Sequence, residues 1–367
     1  DYESFYHHFR RMLPECPDDL FAKNLDKIIA NKVIQEEDRY YPRDLYESET
    51  MIAEKFERYL KQSTQSIEDS VIDEKIKRTE ELQGITYDEI QKNAIKKFLE
   101  ESALILTGGP GTGKTTVLRT ILEVYRRLHP DGKIALMAPT GRASRRMSES
   151  TGFEDARTLH SGLGLTSEED EGSRNRKSEP LSADLIIVDE FSMVDMWLAE
   201  KFFERMKANA RIVLVGDPDQ LPSVGAGNVF REIIETQIVP VTVLDQIFRQ
   251  SKDSLIAYNA KFINEGNTKL FYGPDFVFVS GDSQEDTAEK ITERYCLEIQ
   301  ESGIENVQIL SPFRSEGAAS SEQLNETIRE LVNPFRSAEE EIKFGPRIFR
   351  VNDRIMQTKN TEKVSNG

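Results

Sequence analysis

Apolar positions near the start of the chain recur with helical spacing on both sides of a short extended segment. Phe21 and Leu25 share one helical face, because residues three or four apart lie on the same side of a helix. Residues 33–42 have the composition of two short strands around a turn, and a second helical face follows them. This order predicts a mostly helical, winged-helix-like module over residues 1–82, which ends in a polar linker or exposed helix from residue 63. Such a module would either bind DNA or brace the domain that follows it.

From residue 83 onward, apolar runs of strand length alternate with helical patterns. Uninterrupted apolar runs are typical of strands that are buried on both faces of a parallel sheet. The first such runs are residues 104–106, 134–138, 185–188 and 211–215. Further along, the predicted strands are 276–279 and 307–310, and the predicted helices are 255–263 and 288–299. The alternation predicts an α/β fold, with a first domain at 83–250 and a second at 251–367.

Composition narrows the class of protein. The 367 residues are enough for two or three domains with cores of their own. No segment approaches the roughly 18 consecutive apolar residues of a membrane-spanning helix, and the N-terminus has no signal pattern. Cys16 and Cys296 lie far apart without a clustered partner, which indicates neither a disulfide framework nor a zinc site. We expect a cytoplasmic protein without membrane contact.

The net charge of −17 restricts how the chain could bind a nucleic acid. A surface that is basic throughout is excluded, so any contact with phosphates would run along a local basic track. Candidate tracks lie at residues 142–146, 174–177 and 347–354. On charge pattern alone, each of these is also typical of a solvated surface.

A glycine-rich segment between the first apolar run and the next helical pattern predicts a nucleotide site. Its pattern is G-x-x-x-x-G-K-[ST], in which backbone amides and a helix N-terminus surround phosphates and a lysine contacts the β and γ phosphates. The hydroxyl of Thr115 would lie where Mg²⁺ binds. The predicted ATP-binding residues of this segment are Gly108, Gly109, Pro110, Gly111, Thr112, Gly113, Lys114, Thr115 and Thr116.

Two later apolar runs end in polar residues suited to hydrolysis. Asp189 and Glu190 follow the run at 185–188; Asp189 would hold Mg²⁺, and Glu190 would orient and deprotonate the attacking water. Gln220 follows the run at 211–215 and is placed to sense the γ-phosphate. Upstream of the phosphate loop, Gln91 could contact the adenine edge, because an amide donates and accepts at once.

The ordered set of motifs resembles the RecD-like DNA helicases of helicase superfamily one. The motifs of the first domain are GGPGTGKTT, APTGRAS, TLHSGLG, VDEFSM, VGDPDQLPSVGAGNVF and LDQIFRQ. The motifs of the second are ILSPFRSEG, QLNETIRELVNP and NDRIMQTKN. Several motifs in one order are far more specific than any one of them. The resemblance implies two RecA-like motor domains that bind ATP and Mg²⁺ and act on single-stranded DNA and duplex ends, alone or with protein partners of a repair or recombination complex.

The resemblance also implies roles for single residues. Arg249 would be an arginine finger and, with Lys114, Glu190 and Gln220, part of the catalytic set. A small hairpin near residues 165–181 would separate the strands of a duplex; the polar composition of this segment is equally typical of a loop. The implied DNA-contacting residues are Pro139, Thr140, Arg142, His160, Ser311, Arg314 and Asn325. For Trp197 and Phe203, which follow the acidic pair, a place in the core is favoured over a role as stacking platforms.

The sequence therefore predicts an ATP-dependent helicase that moves 5′ to 3′ on single-stranded DNA, a direction that comes from the resemblance alone. Because the chain begins at Asp1 and ends within the expected second domain, we expect a trimmed fragment whose second RecA-like domain is incomplete. Two alternatives remain open. One is a P-loop ATPase of another class, and the other is a nucleotide-binding module that binds DNA without unwinding it.

Overall fold

The computed structural model describes residues 2–15, 17–61, 69–109, 111–165, 180–244, 254–345 and 347–355. The chain divides into two compact units, residues 1–270 and 271–367. The expected boundaries at 82 and 250 stay predictions, and each unit is described by itself below.

The first unit opens with helices around a hairpin, as the sequence predicts. Its elements are α1 (Tyr2–Met12), α2 (Asp18–Lys32), β1 (Val33–Glu36), β2 (Arg39–Pro42) and α3 (Arg43–Leu60). The two strands pair antiparallel, with Ile34 opposite Tyr41. Glu37, in the turn between them, has φ 55°. The strand, turn and strand expected at 33–42 are thus confirmed.

The next two helices include most of the polar segment that was expected as a linker or exposed helix. They are α4 (Asp69–Gln83) and α5 (Glu89–Glu100). Ile72 and Ile76 of α4 are buried and share an apolar cluster with Phe98 of α5. The expectation of a linker or exposed helix is therefore wrong for α4, because one apolar side chain per turn is enough to seal a helix against a core even when its other faces are charged.

The centre of the first unit is a parallel six-stranded sheet in the order β5-β4-β6-β7-β3-β8. The strands are β3 (Ala103–Thr107), β4 (Ile134–Ala138), β5 (Arg157–Thr158), β6 (Leu185–Val188), β7 (Arg211–Gly216) and β8 (Val241–Val243). The remaining helices of the unit are α6 (Lys114–Leu128), α7 (Gly141–Thr151), α8 (Leu159–Gly162), α9 (Met196–Arg205), α10 (Val229–Thr236) and α11 (Leu255–Asn264). The α/β class is confirmed, and every predicted apolar run of the first domain forms a strand of this sheet.

Each face of the sheet is covered by its own apolar cluster. Alternate residues of β6 divide between them, with Ile186 in one cluster and Ile187 in the other, because successive side chains of a strand point to opposite faces. Helices α4, α5 and α6 cover one face, and α9 and α10 cover the other. Helix α3 packs on the outside of α9, where the rings of Phe56 and Phe203 meet edge to face at 5.3 Å between centroids. The hydroxyl of Ser48 also donates to the Glu200 carboxylate at 2.5 Å.

The second unit differs from its prediction. It contains α12 (Gln284–Ser302), α13 (Ser321–Val332) and an antiparallel hairpin of β9 (Glu341–Phe344) and β10 (Arg347–Arg350). The strands predicted at 276–279 and 307–310 are wrong: Phe276 forms only an isolated bridge with Gly273, and Phe278 is 69% exposed. A strand exists only when a neighbour satisfies its backbone, and beyond that single bridge no strand described in this unit pairs with either segment. The second RecA-like sheet stays a prediction.

No helix among the described residues is long and apolar enough to cross a bilayer.

Candidate ATP-binding site and nucleic-acid face

The phosphate loop leaves the carboxyl end of β3 and enters α6 at Lys114. Gly113 caps this helix with φ 89° and ψ 15°, a left-handed conformation that costs glycine little. The ammonium of Lys114 donates to the carbonyl oxygen of Gly109 at 2.9 Å and also to that of Gly108. Thr112 closes the loop by donating its hydroxyl to the Gly109 carbonyl at 2.8 Å. Lys114 thus lies folded over the loop, and Thr115 is exposed beside it; Pro110 lies outside the described residues.

The acidic pair follows β6, two strands away from the phosphate loop. The N–H of Asp189 donates to the Met137 carbonyl at 2.9 Å, which continues the pairing of β6 with β4. The Asp189 carboxylate accepts the Glu190 N–H at 2.9 Å. Glu190 has φ 54° and ψ 37°, a left-handed conformation that is uncommon for a residue with a Cβ and that tends to occur at functional sites.

Between these two strands, β7 ends at a third acid that the sequence analysis did not single out. Asp217 is buried, and its carboxylate accepts hydrogen bonds from the Asp219 N–H at 3.1 Å and from the Gln220 side-chain amide at 3.4 Å. Gln220 itself is exposed. The available signal for Asp217 was its place directly after a buried strand, since the carboxyl ends of parallel strands meet at one edge of the sheet.

Electrostatics connect the three acids with the lysine. Burial lowers the pKa of Lys114, while Asp217, Asp189 and Glu190 oppose that shift. Burial raises the pKa of Asp189. Burial, and then the neighbouring Asp189 charge, raise the pKa of Glu190. The structure therefore brings Lys114, Asp189, Glu190 and Asp217 into one partly desolvated group.

Arg146 of α7 is, after Asp217, the second residue near the site that the motifs did not identify. In the sequence it belongs only to the basic stretch at 142–146. Its positive charge opposes the burial that raises the pKa of Asp189 and of Glu190, so it acts on the acids electrostatically. An exposed arginine beside a nucleotide site can pair with phosphate oxygens. Spacing along the chain carried no signal for this, because α7 follows β4 and not β6.

The oxygen donors of the site fit Mg²⁺. The Thr115 hydroxyl and the Asp189 carboxylate are hard ligands of the type that Mg²⁺ prefers. Among the described residues no group of three His, Cys, Asp or Glu side chains could hold a metal ion.

Gln91 has a structural role at the start of α5. Its side chain accepts the Asp88 N–H at 3.2 Å, and the Asp88 carboxylate accepts the Gln91 N–H at 2.8 Å. This reciprocal arrangement is a capping box, and only 2% of Gln91 is exposed. Its contact with adenine stays a prediction.

Candidate DNA contacts in the first unit follow β4 and β5. Thr140 caps α7 by accepting the Ala143 N–H at 3.2 Å, Pro139 is half-buried and Arg142 is exposed. His160 lies on α8, with its ring centroid 6.1 Å from that of Trp197 on α9. Phe203 is fully buried as predicted, whereas Trp197 is only half-buried. The expectation that Trp197 belongs to the core is thus only partly correct.

Candidate contacts in the second unit are described separately. The Ser311 hydroxyl donates to the Ala319 carbonyl at 2.8 Å, and Arg314 lies 3.2 Å from Glu322 in an exposed ion pair. Asn325 is exposed on α13. Arg249 and residues 166–179 of the expected hairpin lie outside the described residues.

Two arginines proposed for the basic track at 347–354 are engaged within the second unit. Arg350 pairs with Glu330 at 2.7 Å and with Glu341 at 2.9 Å, with only 9% of its side chain exposed. Arg354 donates to the Ile304 carbonyl at 3.0 Å. Neither interpretation left open for this stretch, a DNA-binding track or a solvated surface, describes Arg350, because two carboxylates pair with it and little of its side chain is exposed.

Comparisons with known proteins agree with the motifs. Residues 91–226 match the model of an AAA domain. The chain is 32% identical over 277 residues to the ATP-dependent RecD2 DNA helicase of Deinococcus radiodurans, covering 74% of this chain and 36% of that protein. It is 37% identical over 172 residues to the RecBCD enzyme subunit RecD of Mycolicibacterium smegmatis, covering 41% of this chain and 31% of that one. The chain thus spans about a third of each of these relatives. The resemblance to RecD-like helicases is confirmed.

Among solved structures, the crystal structure of Pif1 helicase from Candida albicans matches with a TM-score of 0.37 and 24% identity, over 56% of this chain and 54% of that one.

Proposed function

We propose that this chain carries the ATP-hydrolysing motor of a RecD-like DNA helicase, which moves 5′ to 3′ along single-stranded DNA and unwinds duplex. One observation carries the proposal: Lys114 of the phosphate loop and the acids after β6 and β7 form a single electrostatic group at the carboxyl edge of the sheet. Three carboxylates beside one lysine leave an excess of negative charge in a partly desolvated site. A bound Mg²⁺ would offset this excess, while Lys114 would face the phosphates of the nucleotide.

Each residue of the site would have a separate role in ATP hydrolysis. Lys114 and the amides of the loop would bind the β and γ phosphates. Glu190 is the candidate general base, since its raised pKa makes it a better proton acceptor than a solvated carboxylate. Gln220, tethered to Asp217, would respond to the γ-phosphate. Mg²⁺, when bound through Thr115 and Asp189, would neutralise charge on the phosphate oxygens, and Arg249 stays proposed as the arginine finger.

The DNA would lie along the carboxyl ends of β4 and β5. Arg142 and the amides at the start of α7 suit phosphates, and His160 suits a base. Such a local track reconciles DNA binding with the overall charge of −17. Ser311, Arg314 and Asn325 stay proposed contacts of the second unit.

Substrates and partners follow from the same proposal. Single-stranded DNA and duplex ends would be the nucleic-acid substrates. Because one relative is named as a subunit of the RecBCD enzyme, proteins of a repair or recombination complex are the partners to test first. ATP-driven work on DNA would place the protein in the cytoplasm.

The test is phosphate release from ATP with and without a single-stranded oligonucleotide. We expect stimulation by the strand, and a loss of about a hundredfold or more in Lys114→Ala, because a charge that stabilises the transferring phosphoryl group is removed. Lys77→Ala, an exposed lysine of α4, is the matched control and should keep wild-type rates.

Other outcomes would overturn the proposal in recognisable ways. Undiminished hydrolysis by Lys114→Ala would remove the assigned ATP site. Hydrolysis by the wild type that ignores DNA would favour a P-loop ATPase of another class. Binding of nucleotide and DNA without turnover would favour a binding module.

A further inference from the structure

His160 and Trp197 form an aromatic pair that the motifs do not explain. Their ring centroids are 6.1 Å apart and their planes are inclined by 32°. Both residues are half-buried, so part of each remains accessible to solvent. Trp197 packs against an apolar cluster of the sheet and yet stays half-buried, whereas Phe203 on the same helix has no exposed surface.

The topology places this pair at the ligand-binding edge of the sheet. His160 follows β5, and Trp197 follows β6 after one short turn of 3-10 helix. Strand β4 lies between β5 and β6, and its carboxyl end leads to Arg142 and the N-terminus of α7. The aromatic pair therefore lies on the same edge as the exposed basic residues of α7. A basic surface beside exposed rings is the usual arrangement for binding single strands.

The two rings are held in place by the elements that carry them. Arg205, at the end of α9, donates to the Leu163 carbonyl next to α8, and its own carbonyl accepts the Leu181 N–H at 2.8 Å. At the other end of α9, Asp195 caps the helix through the Leu198 N–H at 2.9 Å, and the Met196 N–H donates to the Ala226 carbonyl at 2.9 Å. Rigid rings lose little entropy when a ligand stacks on them.

We propose that Trp197 and His160 together form a stacking site for one unpaired base of single-stranded DNA. The inference deepens the proposed function and rests on it. It adds Trp197 as a binding residue and assigns base stacking, not phosphate contact, to this part of the track. The site is sequence-tolerant, because every base has a π-face.

The protein supplies its own probe, because Trp197 is its single tryptophan. Emission of the wild-type chain would be measured with oligo-thymidylate and with an abasic strand of the same length, which keeps the phosphates and lacks the bases. We expect oligo-thymidylate to quench the emission and the abasic strand to leave it nearly unchanged. Equal quenching by both strands would overturn base stacking.

Variants provide the second measurement, by anisotropy of a fluorescently labelled oligo-thymidylate. Trp197→Leu and His160→Ala should each weaken binding by about five- to a hundredfold, and Trp197→Phe, which keeps a ring, should bind nearly as the wild type does. His129→Ala is the matched control: His129 lies 4.7 Å from the Tyr125 ring at the end of α6, on the opposite edge of the sheet. It should bind like the wild type.

The outcomes separate this inference from the proposed function. If the labelled strand fails to bind the wild-type chain, the proposed function fails. If it binds while the emission stays constant and Trp197→Leu keeps wild-type affinity, only the stacking site fails. Circular dichroism and retained nucleotide binding show that each variant has folded.

Discussion

The N–H of Leu244 donates a hydrogen bond to the carbonyl oxygen of Thr107 at 2.8 Å. This bond continues the pairing of β8 with β3 and brings the Leu244 carbonyl against Gly108, where a Cβ would overlap it. Gly108 also has φ 151°, which L side chains rarely adopt. We expect Gly108→Ala to lower the free energy of unfolding by about 1–3 kcal/mol and to weaken ATP binding, as measured by urea denaturation and nucleotide titration.

Gly109→Ala is the control for that prediction. A Cβ on Gly109 meets no atom within 4 Å, so this variant should keep wild-type stability. Equal stability losses in the two variants would show that the contact with Leu244 is not the constraint on Gly108.

The raised pKa of Glu190 predicts a pH-dependent effect of Glu190→Gln on stability. The native protein holds this proton more tightly than the unfolded chain, so wild-type stability falls as the pH rises from the ordinary glutamate pKa through the raised value. Glutamine carries no charge there. In metal-free and nucleotide-free protein, Glu190→Gln should therefore unfold at a higher temperature than the wild type at neutral pH, with the difference shrinking in acid.

Activity should change in the opposite direction in the same variant. A general base works only when ionised, so the wild-type rate should fall on the acid side at a pH above the ordinary glutamate pKa. Glu190→Gln should bind nucleotide and hydrolyse it at a small, pH-independent residual rate. Two results together would contradict the assignment of Glu190. They are an unchanged unfolding midpoint of Glu190→Gln at neutral pH, and a hydrolysis rate of this variant that still falls at acid pH.

The sequence was sufficient to predict an element where its local pattern of apolar residues matches its environment in the folded protein. Strands β3, β4, β6 and β7 were predicted because each contains an uninterrupted apolar run, which is typical of a strand covered on both faces, and the ligand-binding loops follow from their carboxyl ends. It was insufficient where the outcome depends on a distant partner. The apolar segment 276–279 has strand composition and yet forms only an isolated bridge at Phe276, whereas α4 is highly charged and yet contributes Ile72 to the core.

The same reasoning applies to the candidate site. Lys114, Asp189 and Glu190 are marked by spacing within their own motifs. Asp217 and Arg146 become part of the site only through the strand order, which brings β4, β6 and β7 side by side. The pair of His160 and Trp197 likewise joins segments that follow different strands, and no local pattern encodes that contact.

Helix α4 gives a direct test of where the motor core begins. Ile72 has no exposed surface and shares a cluster with α5 and α6, while its neighbour Val71 is 36% exposed. We expect Ile72→Ala to cost about 2–5 kcal/mol of unfolding free energy and Val71→Ala to change it by less than about 0.5 kcal/mol. Denaturant unfolding measures both, and a small effect of Ile72→Ala would mean that α4 is a linker after all.

The last prediction concerns Arg350, whose charge is used inside the second unit. The Glu330 and Glu341 carboxylates raise the pKa of Arg350, and the guanidinium also donates to the Asn333 carbonyl at 2.9 Å, which joins the end of α13 to β10. Removing it would leave two carboxylates and a carbonyl without their common donor. We expect Arg350→Ala to speed hydrogen exchange in α13, β9 and β10, while the salt dependence of DNA binding stays as in the wild type.

The control is Arg347→Ala. Arg347 is exposed at the start of β10, so this variant should leave hydrogen exchange unchanged. If Arg350 instead contacted a phosphate, its removal would lower the slope of log affinity against log salt by about one, with exchange unaffected.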